Sequence, residues 1–341
     1  MKKFFALILA LAMVLGLTAC GQEPSSDGSG DSGEKIHVTF YHTSADTASH
    51  QQTALKFKEL LEERSNGRFE VTTYCNGTLG TDREAVEATI AGNITIFGGA
   101  ASYTGNFVPQ ANLFDIPYRL VTNETAMAVC ADQDMVDALN AYFTGSGMLL
   151  AGLEFLGFRT LSCNYEVHNP GDLAGVKVRV MDNPYQMNLW QAMGASPTPL
   201  AYNELYTGLQ QGTVDGQENP IELTYTQKFY EQQKYLIDTN QIPFIMPWII
   251  NEAFYNSLSA EDQDLVTSCL SEASRTGEAY LMEKLDSYFA AMEDYGCTII
   301  NLTDDEYAQF IERVEPLMPS YQELVGQDLY DTYLSIIAKH S

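Results

Sequence analysis

Between Arg119 and Lys228 the chain carries only three cationic side chains, Arg159, Lys177 and Arg179, against twelve carboxylates. Cations that scarce draw attention to where they sit. In "GVKVRV", Lys177 and Arg179 alternate with Val176, Val178 and Val180, so in a strand the valines share one face and the cations the other. That second face must be solvated or must meet an anion. Arg159 lies in a second apolar, strand-like run, "EFLGFRTLSCN". A guanidinium is a planar fork of donors that matches a carboxylate through parallel hydrogen bonds. In "GTVDGQENP", Asn219 can donate and accept, and it stands beside the acids Asp215 and Glu218.

Enzyme chemistry finds little support in the same residues. The body has no HExxH, no CxxC pair and no phosphate loop, and His37, His42, His50, His168 and His340 show no metal-ligand spacing. No catalytic residue, cofactor or metal is expected. His42, directly after the first strand, is the histidine expected near a cleft.

The elements that must position these groups alternate. "KIHVTFY" and "RFEVTTY" read as strands, and Asp46–Arg64 carries Ala54, Leu55, Leu60 and Leu61 at helical spacing. Thr81 and Glu84 form a capping box, Gly92 closes that helix, and "ITIF" resumes the sheet. A second series follows: a helix opened by Asn183 and Pro184 and closed by Gly194, then a helix over Asn203–Gln211 leading to "TVDGQ" as a strand with "ENP" as the loop beyond it. Ser259 then caps a long helical run of about nine turns. Repeated strand-helix-strand order predicts an α/β fold of two lobes, with ligand groups gathered at strand ends.

Composition sets the class. The 341 residues are 45% hydrophobic and 18% charged, enough for a sizeable core, and the formal net charge is -27. Such a chain repels phosphates, so nucleic acid is excluded as a partner. Lys2 and Lys3, an apolar run from Phe4 to Leu17 and then "LTAC" read as an export signal, too short to span a membrane as a helix. Its ending resembles the bacterial lipobox, which predicts residues 1–20 as a lipoprotein signal with Cys20 as the acylated residue. Residues 21–34, rich in Gly and Ser, are expected to be a flexible tether reaching roughly 20 Å. The GxGxxG spacing at Gly28, Gly30 and Gly33 has no strand before it and is set aside. Cys75, Cys130, Cys163, Cys269 and Cys297 are scattered and odd in number, which argues against a disulfide framework.

The segment "GASPTPLAYNELYTGLQQGTVDGQENP", followed by "KFYEQQKYL", resembles the substrate-binding proteins of tripartite ATP-independent periplasmic (TRAP) transporters. "NGTLGTDREAVEA", "FDIPYRL" and "FRTLSCN" agree with it, and together these pieces cover most of residues 36–330. The resemblance implies a two-lobed, periplasmic-binding-protein-like α/β fold with a hinge and a long bracing C-terminal helix. Lobe I is expected over 35–156 plus about 245–284, and lobe II over 157–244 plus about 285–335. Carried over residue by residue, Arg159 takes the ligand carboxylate, Arg179 and Asn219 face the ligand, Tyr202 lines the site and His42 is a polar contact. A charged pair found in sialic-acid binders is replaced here by "GGAAS", around Gly99–Ser102, which argues against sialic acid and leaves uronates, other sugar acids and dicarboxylates. The implied partners are that organic acid and the membrane permease, with the receptor a lipid-anchored monomer outside the cytoplasm. A sensor lipoprotein of the same fold is the alternative, and an enzyme acting on a carboxylate the remoter one.

Overall fold

The computed structural model describes residues 35–341; the signal and tether expectations, Cys20 included, lie outside them. Ten strands run β1 (Ile36–His42), β2 (Phe69–Tyr74), β3 (Ile96–Gly98), β4 (Met148–Cys163), β5 (Lys177–Val180), β6 (Ser196–Pro199), β7 (Gly216–Pro220), β8 (Tyr235–Ile237), β9 (Pro243–Asn251) and β10 (Thr298–Ile300). They order as β2-β1-β3-β9-β4-β7-β5-β6, with β8 also on β4 and β10 on β8. Thirteen α-helices among the described residues cover this mixed sheet. The architecture is α/β, as the alternation of elements predicts.

β4 ties the two halves of the sheet together. Its first part pairs antiparallel with β9, and its last part with β7 and β8. The change of partner falls at a register shift between Phe155 and Phe158, where Gly157 adopts φ +90°. Side chains other than hydrogen strongly disfavour that conformation. A strand running through two sheets with such a residue between them is a natural place for a bend.

Local chemistry explains most element boundaries. The capping box forms: Thr81 N–H donates to Glu84 Oε2 at 2.8 Å and Glu84 N–H to Thr81 Oγ1 at 3.3 Å, opening the helix Asp82–Ile90. Asn183 caps the helix Pro184–Ala192 through the amides of Tyr185 and Gln186. Ser259 caps Ala260–Tyr295, whose 36 residues give a rod about 54 Å long. Helix Ser49–Arg64 starts later than the expected Asp46 and has no side-chain cap at Ala48.

One boundary is corrected. "GQENP" itself is β7, with Leu161 opposite Glu218 and Thr160 opposite Asn219, whereas Thr213 and Val214 belong to the turn before it. The long β4 supplies an antiparallel edge as far as Pro220, so the strand extends through the residues expected to be loop. Also unforeseen are β6, with two prolines, and the wholly buried β9.

Buried apolar residues form separate clusters. One gathers Phe97, Phe114, Met135, Leu153 and Ile249; a second, beneath the long helix, holds Phe40, Phe57, Trp248 and Leu270; a third holds Val178, Val180, Leu189, Trp190 and Phe310. Met318, Tyr321, Leu329 and Tyr333 pack in the first of these. The last two helices therefore lie against the part of the fold built by residues 97–153, although 285–335 is the span expected in lobe II.

Candidate binding cavity

Arg159 stands two residues beyond the Gly157 bend, where its backbone N–H donates to Ile242 O at 3.0 Å. Its side chain is 1% exposed. The guanidinium is held from one side: Nε and Nη2 donate to the Glu218 carboxylate at 2.5 and 2.8 Å, and Nη2 also reaches Glu218 O at 2.7 Å and Asn219 Oδ1 at 3.1 Å. Phe244 lies under its plane, 5.3 Å from ring centroid to Cζ. Burial works against the charged form of Arg159, but the Glu218 carboxylate overrides it and holds the pKa above the usual value. Nη1 is left buried without a partner.

Arg179 comes from β5. Val178 and Val180 are fully buried in the third cluster while Lys177 is exposed, so the alternation read from the sequence is realised and Arg179 turns inward. Its Nε donates to Leu200 O at 2.8 Å and Nη2 to Tyr103 Oη at 3.3 Å. Asp215 serves the strand pairing, accepting from Lys177 N–H at 2.9 Å.

These groups converge on one small cavity, walled also by Asp82, His50, Tyr103, Tyr202, Asn219 and Phe244. Within the lining, His50 Nδ1 and the Tyr202 hydroxyl are also buried without partners. Burial and the neighbouring His42 keep the His50 pKa well below normal, so its ring is neutral. Burial pushes the Asp82 carboxyl up to about 6, with the Thr43 hydroxyl and Arg179 pulling the other way. The arrangement can bind an anion at two cationic points beside an apolar wall.

Among the described residues no group of three or more His, Cys, Asp or Glu is placed to hold a metal ion, and no helix is long and apolar enough to cross a membrane. Cys75, Cys130, Cys163, Cys269 and Cys297 are free thiols.

A family profile described as "bacterial extracellular solute-binding protein, family 7" matches residues 40–324. The chain belongs to that family. Its members are the extracytoplasmic solute receptors of TRAP transporters, not enzymes. This family member is 32% identical to a solute-binding protein of Verminephrobacter eiseniae, over 82% of this chain and 83% of the relative. It is 31% identical to the ectoine/5-hydroxyectoine-binding periplasmic protein of Ruegeria pomeroyi, over 80% and 81% of the two chains. A TRAP periplasmic solute-binding protein from Desulfovibrio salexigens, solved with bound orotic acid, superposes with TM-score 0.86 and 27% identity, covering 90% of this chain and all of that one (100%).

Of the residues singled out from the sequence of this family member, the structure brings Arg159, Arg179, Asn219 and Tyr202 to the cavity. His42 is not among its lining residues. It ends β1, fully buried, with Nε2 2.9 Å from Gln51 Oε1, and its neighbour His50, with ring centroids 5.7 Å apart, takes the lining position. Sequence reasoning also missed Asp82, Tyr103 and Phe244. Asp82 had a signal, since it is the first residue of the capped helix; Phe244 lies on β9, whose unbroken apolar run shows no face. The glycines of "GGAAS" follow from packing, because a Cβ on Gly98 would come within 2.3 Å of the Trp248 ring.

Proposed function

We propose that this receptor captures a small organic acid in the cavity of Arg159 and Arg179 and delivers it to a TRAP membrane permease for ion-coupled uptake. The observation that carries this is Arg159 Nη1: a buried, charged donor without a protein partner, at the wall of a cavity. Leaving such a donor unsatisfied is costly, and a carboxylate oxygen supplies what it lacks. Arg179, Asn219 and Tyr202 would contact the rest of the ligand, with Glu218 holding Arg159 from behind. Orotic acid and ectoine, the ligands named for two of its relatives, both carry a carboxylate. Uronates, other sugar acids and C4-dicarboxylates form the starting panel.

The molecule would close about Gly157, between a lobe of residues 35–156 plus about 245–284 and one of 157–244 plus about 285–335, with Met318 onward packed against the first. In this reading the receptor acts as a single copy, and Cys20 carries the lipid that holds it at the outer face of the cytoplasmic membrane.

A thermal-shift screen of the full chain in detergent against organic acids tests the binding. A ligand at about 100 times its dissociation constant should add about 2.7 kcal/mol of stability, and mass spectrometry should recover the acid unchanged. If every acid leaves the melting curve where it was, or if a bound acid is converted, the reading fails.

A further inference from the structure

The cavity has two cationic points: Arg159 is already paired with a carboxylate, and Arg179, bonded to Leu200 O and Tyr103 Oη, shares its lining with one. Arg159 is paired through Nε and Nη2 with Glu218, which is itself fully buried. At the other point, Arg179 shares the lining with the Asp82 carboxyl. Asp82 Oδ1 accepts from the Thr43 hydroxyl at 2.9 Å, and the residue is 6% exposed. Asp82 also lines two further clefts.

Counting charge on these side chains gives at most one net positive charge, with Asp82 protonated, and none with Asp82 ionised. Among the described lining residues no Lys adds to it. Buried charge is tolerated when it is compensated and is expensive when it is not. One carboxylate on the ligand balances the set with Asp82 protonated. Two carboxylates leave an uncompensated negative charge beside Asp82.

Resting on the proposed function, we propose that this receptor takes a monocarboxylate and rejects the dicarboxylate of the same length, with Asp82 as the residue that discriminates. The ligand carboxylate lies at Arg159 Nη1, and its opposite end offers Asp82 a hydroxyl or N–H donor. A second carboxylate there meets like charge where Asp82 is ionised, and where Asp82 is protonated it adds a buried negative charge that no remaining cation of the set balances. The remaining wall, Met181, Leu223 and Phe244 among it, is apolar and covers the middle of the ligand.

Matched pairs test this by calorimetric titration of the full chain: threonate against tartrate, and 4-hydroxybutyrate against succinate. The monoacid of each pair should bind at least about tenfold tighter, the scale expected for one like-charge contact. Asp82→Asn keeps the size and an acceptor but removes the charge and adds a donor. It should shift the ratio toward the diacid by about tenfold, whereas a merely structural role for Asp82 would weaken both acids alike. A diacid that binds as tightly as its monoacid in the wild type, or a ratio unmoved by Asp82→Asn, overturns the inference and leaves the proposed function standing. Absence of binding by all four acids together with a blank organic-acid screen overturns both.

Discussion

Arg159→Lys separates charge from geometry. The guanidinium does not offer its side-on fork to a ligand, because Nε and Nη2 are engaged by Glu218; what faces the cavity is Nη1. A lysine ammonium is a single point that cannot both satisfy Glu218 and reach the ligand. The substitution should therefore lower affinity and stability together. Losing a hydrogen bond to a charged group costs about 1.5–3 kcal/mol, which is roughly tenfold to over a hundredfold in affinity. Part of the about 3–5 kcal/mol typical of a broken buried pair should appear in the melting curve. Arg179→Lys keeps the charge near Asp82 and loses the bonds to Leu200 O and Tyr103 Oη, so its affinity loss should be smaller. Calorimetric titration of both variants, each checked for a folded melting transition, decides. Wild-type affinity in Arg159→Lys would remove Arg159 from the site.

Helices meet at buried carboxyls in this fold, and Glu222 shows the consequence. It lies in helix Ile221–Thr226 and accepts from Ser49 N–H at 2.9 Å and Ser49 Oγ–H at 2.5 Å, at the start of helix Ser49–Arg64. His50 Nδ1, kept neutral, is 3.8 Å away. Burial raises the Glu222 pKa from 4.5 to about 7 against the pull of these bonds. Between those values the folded chain holds the proton more tightly than the unfolded one, so this contribution is complete below pH 4.5 and is lost as pH rises through about 7. Glu222→Gln does not titrate. Relative to wild type it should therefore gain stability as pH rises from 4.5 to about 7, by about 1.4 kcal/mol for each pH unit crossed. Urea unfolding of both proteins at the two ends of that range reads the difference. A difference independent of pH would show that Glu222 titrates alike folded and unfolded.

At the scale of the whole molecule, a formal charge of -27 has to coexist with capture of an anion. The Debye length near physiological ionic strength is about 8 Å, so surface carboxylates are screened from a buried site whose own walls carry Arg159 and Arg179. The strongly acidic surface also gives the body no electrostatic attraction to an anionic membrane. In the proposed anchoring, attachment then rests on residue 20. Cys20→Ser should abolish incorporation of labelled lipid and leave the protein unprocessed or released, as fractionation and labelling would show. Membrane attachment unchanged in that variant would remove the anchor from the proposal.

Periodicity and caps make the elements legible one at a time. The valine-cation alternation of β5, the capping box at Thr81 and Glu84 and the long helix after Ser259 each depend on residues within a few positions of one another. β7 is misplaced and β9 missed by such patterns, because both depend on what lies beside them: β7 extends through "ENP" only since β4 offers it an edge, and β9, buried on every side, has no polar face to mark its period. The site divides in the same way. Residue type and family resemblance single out Arg159, Arg179, Asn219 and Tyr202 from the sequence. Tertiary structure alone brings Asp82 and Phe244 to them, exchanges His42 for His50, and turns the Arg159 fork toward Glu218. Partners that are distant along the chain decide which atoms of a side chain remain free, and no local pattern records that.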